Sequence, residues 1–246
     1  MTTVSENREV LATQNRFHNI EFLRFVFSVT IVYFHILHSN IMGSIGENNA
    51  YMTLQGLSDN AGLIVECFFI ISGYFLFASF RKKPELPFTM FALKKVFRLG
   101  PVLTFSILMG IVFFGQRLIP SVSNSLFLQC IGLSLEYKGI NWYISPLFWA
   151  GLFYYAVIKA FEPKKANVLI AVIVYFSYLV NINRCNGGFG RETVYGIVNL
   201  GLARALAGIG LGYLIGVSIE AFQVIGFKHK DAHINQKKLL YLQWLN

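Results

Sequence analysis

The chain has 246 residues, of which 55% are hydrophobic and only 13% charged, and its mean hydropathy is +0.54. A soluble domain carries about twice that share of charge, so the composition excludes a soluble globular protein. The formal net charge of +9 would suit nucleic acid, but its distribution along the chain is an orientation signal instead.

Residues 1–17 are polar, with Glu6, Arg8, Glu9 and Arg16, and read as a cytoplasmic N-terminal tail. No small-residue cleavage site follows the next apolar run, so the first span reads as an uncleaved anchor. Six segments read as membrane helices, at about 18–38, 61–80, 97–115, 142–160, 165–181 and 199–219. Each approaches the roughly 20 apolar residues that a bilayer core requires. Residues 119–135, "IPSVSNSLFLQCIGLSL", are expected to form an outer re-entrant or surface-lying helix. Counting them as a span would carry the cluster Lys159, Lys164 and Lys165 to the wrong side. Residues 220–246 read as a basic cytoplasmic tail ending in the start of a further span. The expected fold is all-α: one transmembrane helix bundle over 18–219.

Positive charge sorts by loop. Sixteen of the twenty-one Lys and Arg residues fall before the first span or at its start, between spans two and three, between four and five, and after six. The alternate loops hold Arg117, Lys138, Arg184 and Arg191. Both termini are therefore expected in the cytoplasm. Cys67, Cys130 and Cys185 form no paired motif, so neither a disulfide framework nor a metal site is expected.

Within the first span, Arg24 and His35 interrupt an apolar run. On a helix their eleven-residue separation brings them to within about 20° of one another, roughly 16 Å apart along the axis. Arg24 alone would be a snorkelling anchor, and His35 alone an interhelical hydrogen-bonder. The pair on one face, given the cost of arginine in a membrane, favours function. The second span places Glu66 among apolar residues, followed by Ser72-Gly73-Tyr74. A carboxylate there is either paired or protonated, and it would orient a neighbouring imidazole. Gly208, Gly212 and Gly216 recur at four-residue spacing and read as a helix-packing seam rather than a nucleotide loop. Arg204, one turn earlier, is a buried cation whose role is open between structure and substrate contact. Trp142, Tyr143, Tyr154 and Tyr155 suit an aromatic belt.

Four elements taken together resemble acyltransferase family 3. They are Arg24 and His35 with ten residues between them; Glu66 before Phe68-Phe69 and Ser72-Gly73-Tyr74; the basic run "KKVFRLGP" closing on Arg98 and Pro101; and "NWYISPLFWAGLFYY" after an outer loop. The resemblance runs from residue 19 to about 216. It implies an integral membrane enzyme that O-acetylates cell-surface sugars, with acetyl-CoA as donor substrate and no bound cofactor. In that reading His35 is the general base and Glu66 its orienting partner. Arg24, Lys94, Lys95 and Arg98 meet the donor phosphates, and Ser72, Tyr74, Trp142, Tyr143 and Arg204 line the pocket. The implied partners are membrane lipid, acetyl-CoA and an envelope glycan or lipid-linked sugar, at the inner membrane, with no nucleic acid.

The chain departs from the family in three places. Trp142-Tyr143-Ile144-Ser145-Pro146-Leu147 stands where Trp-Ser-Leu-x-x-Glu is common. Lys95 and Arg98 stand where two arginines are common. Six spans stand where about ten are usual, which suggests a truncated chain. The competing readings are a proton-coupled exporter using Arg24, His35 and Glu66 as a relay, and an inactive acyltransferase-like subunit.

Overall fold

The computed structural model describes residues 4–37, 61–115, 121, 124–128, 140–185, 190, 193–194 and 198–244. Loop 39–60, Arg117, Lys138, Arg191, Cys130 and most of segment 119–135 lie outside the described residues. Among the described residues, six long α-helices correspond one to one with the six expected segments: α1 (Val4–Leu37), α2 (Ala61–Lys82), α3 (Phe88–Phe114), α4 (Ile144–Ala160), α5 (Pro163–Arg184) and α6 (Leu200–Trp244). A 3₁₀ turn, Ile140–Tyr143, leads into α4. A two-residue antiparallel ladder, Thr193–Val194 with Val198–Asn199, precedes α6. The chain divides into two compact units, Met1–Ile71 and Ser72–Asn246.

Among the described residues, α2, α3, α5 and the Leu200–Gln223 part of α6 are long and apolar enough to cross a membrane. Helix α4 is apolar but has 17 residues, a rise of about 26 Å, to which the 3₁₀ turn adds about 8 Å. Helix α1, with Glu21, Arg24 and His35 in its apolar half, is not among the four.

Three boundaries differ from expectation. Helix α1 begins at Val4 rather than near 18, and α6 continues to Trp244 rather than stopping near 219. At 45 residues, α6 is about 67 Å long, twice the bilayer core. Neither extension contains a proline, the residue that most strongly breaks a helix. Helix α3 begins at Phe88, directly after Pro87, and carries Pro101 inside it; such prolines are tolerated within membrane helices. It ends at Gly115, whose φ of 62° supplies the left-handed C-cap.

Side-chain hydrogen bonds fix the two ends of the second unit. At the lysine-rich end, Tyr155 Oη donates to the Leu86 carbonyl at 2.6 Å. Lys159 Nζ donates to the Pro84 carbonyl at 2.7 Å, and Arg81 pairs with Glu220. Tyr155 also stacks on Phe91, ring centroids 3.9 Å apart. At the opposite end, Trp149 Nε1 donates to the Phe127 carbonyl at 2.8 Å, and Ser145 Oγ donates to the same oxygen. Asn181 Nδ2 donates to the Leu200 carbonyl at 2.8 Å. The described part of 119–135 thus returns to the end where α4 begins. The chain reaches that end on α3 and leaves it on α4, so residues 121 and 124–128 do not cross.

The interior between these ends is close-packed around Leu103, Tyr154, Tyr155, Ile170 and Ile209, each nearly or wholly buried. Tyr154 Oη donates to the Leu206 carbonyl at 2.7 Å. The glycine seam on α6 is present: Gly208 and Gly212 are buried, and a Cβ on Gly216 would strike Phe77 at 2.5 Å. On α2, a Cβ on Gly73 would lie 1.9 Å from the Ile209 carbonyl oxygen. Gly73 is therefore the point where α2 crosses α6. The outer faces carry exposed Phe97, Val102, Phe105, Val112 and Phe113 on α3 and Val168, Val172 and Phe176 on α5, surfaces suited to lipid tails.

Candidate functional site

Helix α1 is unbroken from Val4 to Leu37, so the eleven-residue spacing translates directly into geometry. Arg24 and His35 lie on one face, about 16 Å apart along the axis. That face is the sheltered one. Ile20, Arg24, Phe27, Ile31, Phe34 and His35 are half-buried, while Phe22, Phe25, Val29 and Val32 are exposed. The spacing of four and three residues is that of a helix stripe turned toward a neighbour. Phe27 meets Phe68 of α2 edge-on, ring centroids 6.0 Å apart, within the first unit.

The guanidinium of Arg24 pairs with Glu21, Nη1 to Oε1 3.1 Å. The Glu21 side chain is 61% exposed, so this pair contributes only about 0–1 kcal/mol. A phosphate would outbid it, since a charge-assisted hydrogen bond contributes about 1.5–3 kcal/mol. Glu21 is a partner that the apolar pattern of the first span does not reveal, although its i,i+3 relation to Arg24 is legible in the sequence. His35 packs its ring edge-on against Phe34, centroids 5.3 Å apart. Glu66 is 5% exposed on α2, the one buried carboxylate among the described residues. Ser72 and Tyr74 are half-buried further along α2.

In the second unit the expected donor-binding cations separate. Lys94 and Arg98 are exposed on α3. Lys95 turns inward: its Nζ donates to the Leu147 carbonyl at 3.2 Å and lies 5.6 Å from the centre of the Phe91 ring. Gly151 makes room for it, because a Cβ there would lie 2.0 Å from Lys95 Nζ. Lys95 thus joins α3 to α4, while Lys94 and Arg98, one turn apart, share the free face.

Two expected pocket residues come together. The Arg204 guanidinium lies over the Trp142 ring, 5.6 Å from its centroid, and the two are 3% and 8% exposed. Asn199 stands beside them: its Oδ1 accepts from the Leu202 amide at 3.1 Å, capping α6. Gly201 keeps the approach open, since a Cβ there would lie 3.1 Å from the Trp142 ring. Tyr143 is half-buried at the same end. A buried cation on an aromatic face is a strong interaction when desolvated, and it fixes the start of α6 against the start of α4.

No curated protein and no solved structure matches this chain. The sequence profile of the acyltransferase domain of acyltransferase family 3 matches residues 17–224. That match spans the whole of α2 to α5, the apolar part of α1 and the membrane-crossing part of α6, and the chain belongs to acyltransferase family 3.

Proposed function

We propose that this membrane acyltransferase moves an acetyl group from cytoplasmic acetyl-CoA to a hydroxyl of a cell-envelope sugar. The observation that carries the reading is the unbroken α1, with half-buried Arg24 and His35 on one of its faces. Coenzyme A is polyanionic and cytoplasmic, whereas the glycan is displayed beyond the membrane. An enzyme joining them needs a cation near the cytoplasm and a base deeper in. Arg24 suits the first role and His35 the second, at a separation comparable to an extended pantetheine arm. Lys94 and Arg98 add exposed positive charge for the nucleotide phosphates. The lysine-rich end of the second unit faces the cytoplasm, by the positive-inside rule, at the inner membrane.

In the reaction, His35 accepts the proton of the sugar hydroxyl as that oxygen attacks the thioester carbonyl. The new carbon–oxygen ester bond forms, the carbon–sulfur bond breaks, and coenzyme A leaves as the thiolate, which takes the proton from the imidazolium. Glu66 stabilises the cationic ring during this exchange. Trp142, Tyr143, Ser72, Tyr74 and Arg204 serve the acceptor side.

Membranes containing the chain, supplied with radiolabelled acetyl-CoA, test the reading. Label in the envelope glycan is the expected result. Proton-driven accumulation of a solute in vesicles with no transfer of label would replace the enzyme by an exporter.

A further inference from the structure

Several cations of the helices are satisfied within the protein. Arg24, Arg81 and Lys165 pair with Glu21, Glu220 and Glu162. Lys95 and Lys159 donate to the carbonyls of Leu147 and Pro84, and Arg204 covers Trp142. Lys94 and Arg98 are different. Both are exposed, and among the described residues neither side chain has an ion-pair or hydrogen-bond partner. Helix α3 holds three cations, Lys94, Lys95 and Arg98, and no acidic residue.

Lys94 and Arg98 are one turn apart, about 40° around the helix and about 6 Å along it. The stripe they begin continues to Phe105 and Val112, which lie within about 20° of Lys94 and are 65% and 71% exposed. Leu103 and Ile107, on the opposite side of α3, are buried. The stripe is therefore turned away from the protein, and its apolar part is covered by lipid tails. Counted back from Phe113, the end of the apolar span, a hydrocarbon core of about 30 Å begins close to Lys94. Arg98 lies about 6 Å inside that edge. Helix side chains lean toward the helix N-terminus, which for α3 is the lysine-rich end. Arg98 thus snorkels toward Lys94, and the two charges converge at the level of the lipid phosphates. Like charges one turn apart repel, a cost that an anion between them removes.

We propose that Lys94 and Arg98 form a site for an anionic phospholipid, its phosphodiester held between the two cations. An acyl chain lies along the same face as far as Phe105, about 16 Å beyond Lys94, which is the depth of one leaflet. Phosphatidylglycerol suits the site because the phosphate is its one charge. The ammonium group of phosphatidylcholine would be brought up against two cations. The positive-inside pattern asks for charge on one side of the membrane and for no particular pair, so the site is a separate claim. It goes beyond the acyltransferase reading and stands without it, since a lipid phosphate reaches this face from within the membrane. Where that reading holds, lipid and donor phosphates compete for the same two cations.

The test is native mass spectrometry of the purified full chain in non-ionic detergent, given equal amounts of phosphatidylglycerol and phosphatidylcholine. The wild type should bind phosphatidylglycerol about thirtyfold more tightly at its first-filled site, from two cations at the headgroup level. Lys94→Gln combined with Arg98→Gln should lower that ratio at least tenfold. Lys82→Gln combined with Lys83→Gln removes the same charge from exposed positions at the end of α2 and should change it less than twofold. A ratio that falls equally in both double variants is diffuse attraction to a basic surface and overturns the site, as does a wild-type ratio near one. Should the first double variant fail to fold, Arg98→Gln alone should lower the ratio at least threefold, and a ratio equal to the wild type overturns the proposal. Titration with acetyl-CoA separates the two sources of phosphate. Weakened acetyl-CoA binding in the Lys94 and Arg98 variants at an unchanged lipid ratio assigns the pair to the nucleotide and overturns the proposal. A lowered lipid ratio at unchanged acetyl-CoA binding upholds it and removes the nucleotide contact from these two residues.

Discussion

Replacing Gly73 by alanine should loosen the crossing of α2 and α6. The new Cβ would lie 1.9 Å from the Ile209 carbonyl oxygen, 2.7 Å from its carbon and 2.9 Å from its Cα. Ordinary contact needs about 3.5 Å, so the two helices must part by roughly 1.5 Å at this point. The obstacle is helical backbone and has no rotamer through which to escape. Overpacking of this kind costs about 1–3 kcal/mol, and so large a displacement belongs at the upper end. Alanine recovers about 1 kcal/mol through helix propensity, leaving about 2 kcal/mol of destabilisation. For a chain of this size that lowers the unfolding midpoint by about 4–8 °C. Intrinsic tryptophan fluorescence of detergent-purified protein reads the midpoint. Gly62→Ala is the control, because nothing lies within 4 Å of a Cβ there, and its midpoint should stay level or rise. A Gly73→Ala midpoint no lower than that of Gly62→Ala would refute the close crossing.

Arg24→Gln should weaken acetyl-CoA binding about ten- to a hundredfold, from the 1.5–3 kcal/mol of a charge-assisted contact, measured by titration in detergent. Glu21→Gln should leave donor affinity within about twofold, since the exposed pair contributes little. Lys95→Met keeps the length of a side chain buried between α3 and α4 and removes its charge. Its unfolding midpoint should equal or exceed the wild type, whereas Lys95→Ala, which leaves a cavity, should lower it. Single cysteines introduced at Ser58 and Arg191 should react with an impermeant thiol reagent from outside intact cells, and those at Lys83 and Lys165 should not. Outside labelling at Lys165 would invert the orientation assigned to the lysine-rich end.

The helices themselves were legible because long apolar runs have few alternatives in a membrane. Their ends were not. Stretches 4–17 and 220–244 contain no proline and continue the helices beyond the expected spans. The Arg24–His35 face was legible from periodicity alone. The division between Lys95 and its neighbours was hidden by a boundary error: with a helix starting at 97, Lys94 and Lys95 have no helical phase. With α3 starting at Phe88, consecutive residues point about 100° apart, and Lys94 and Arg98 fall together without Lys95. The meeting of Trp142 with Arg204 joins positions 62 residues apart, which no local pattern encodes.

The most direct measurement is a single-turnover transfer of label from acetyl-CoA to envelope glycan, comparing the wild type with His35→Ala at matched membrane insertion. Loss of a general base lowers the rate of the chemical step by about 10²–10⁴-fold, and that loss is the predicted result, with acetyl-CoA affinity unchanged. Glu66→Gln should fall between the two proteins. A His35→Ala rate equal to that of the wild type would contradict the account and reduce His35 to a hydrogen-bonding residue on the sheltered face of α1.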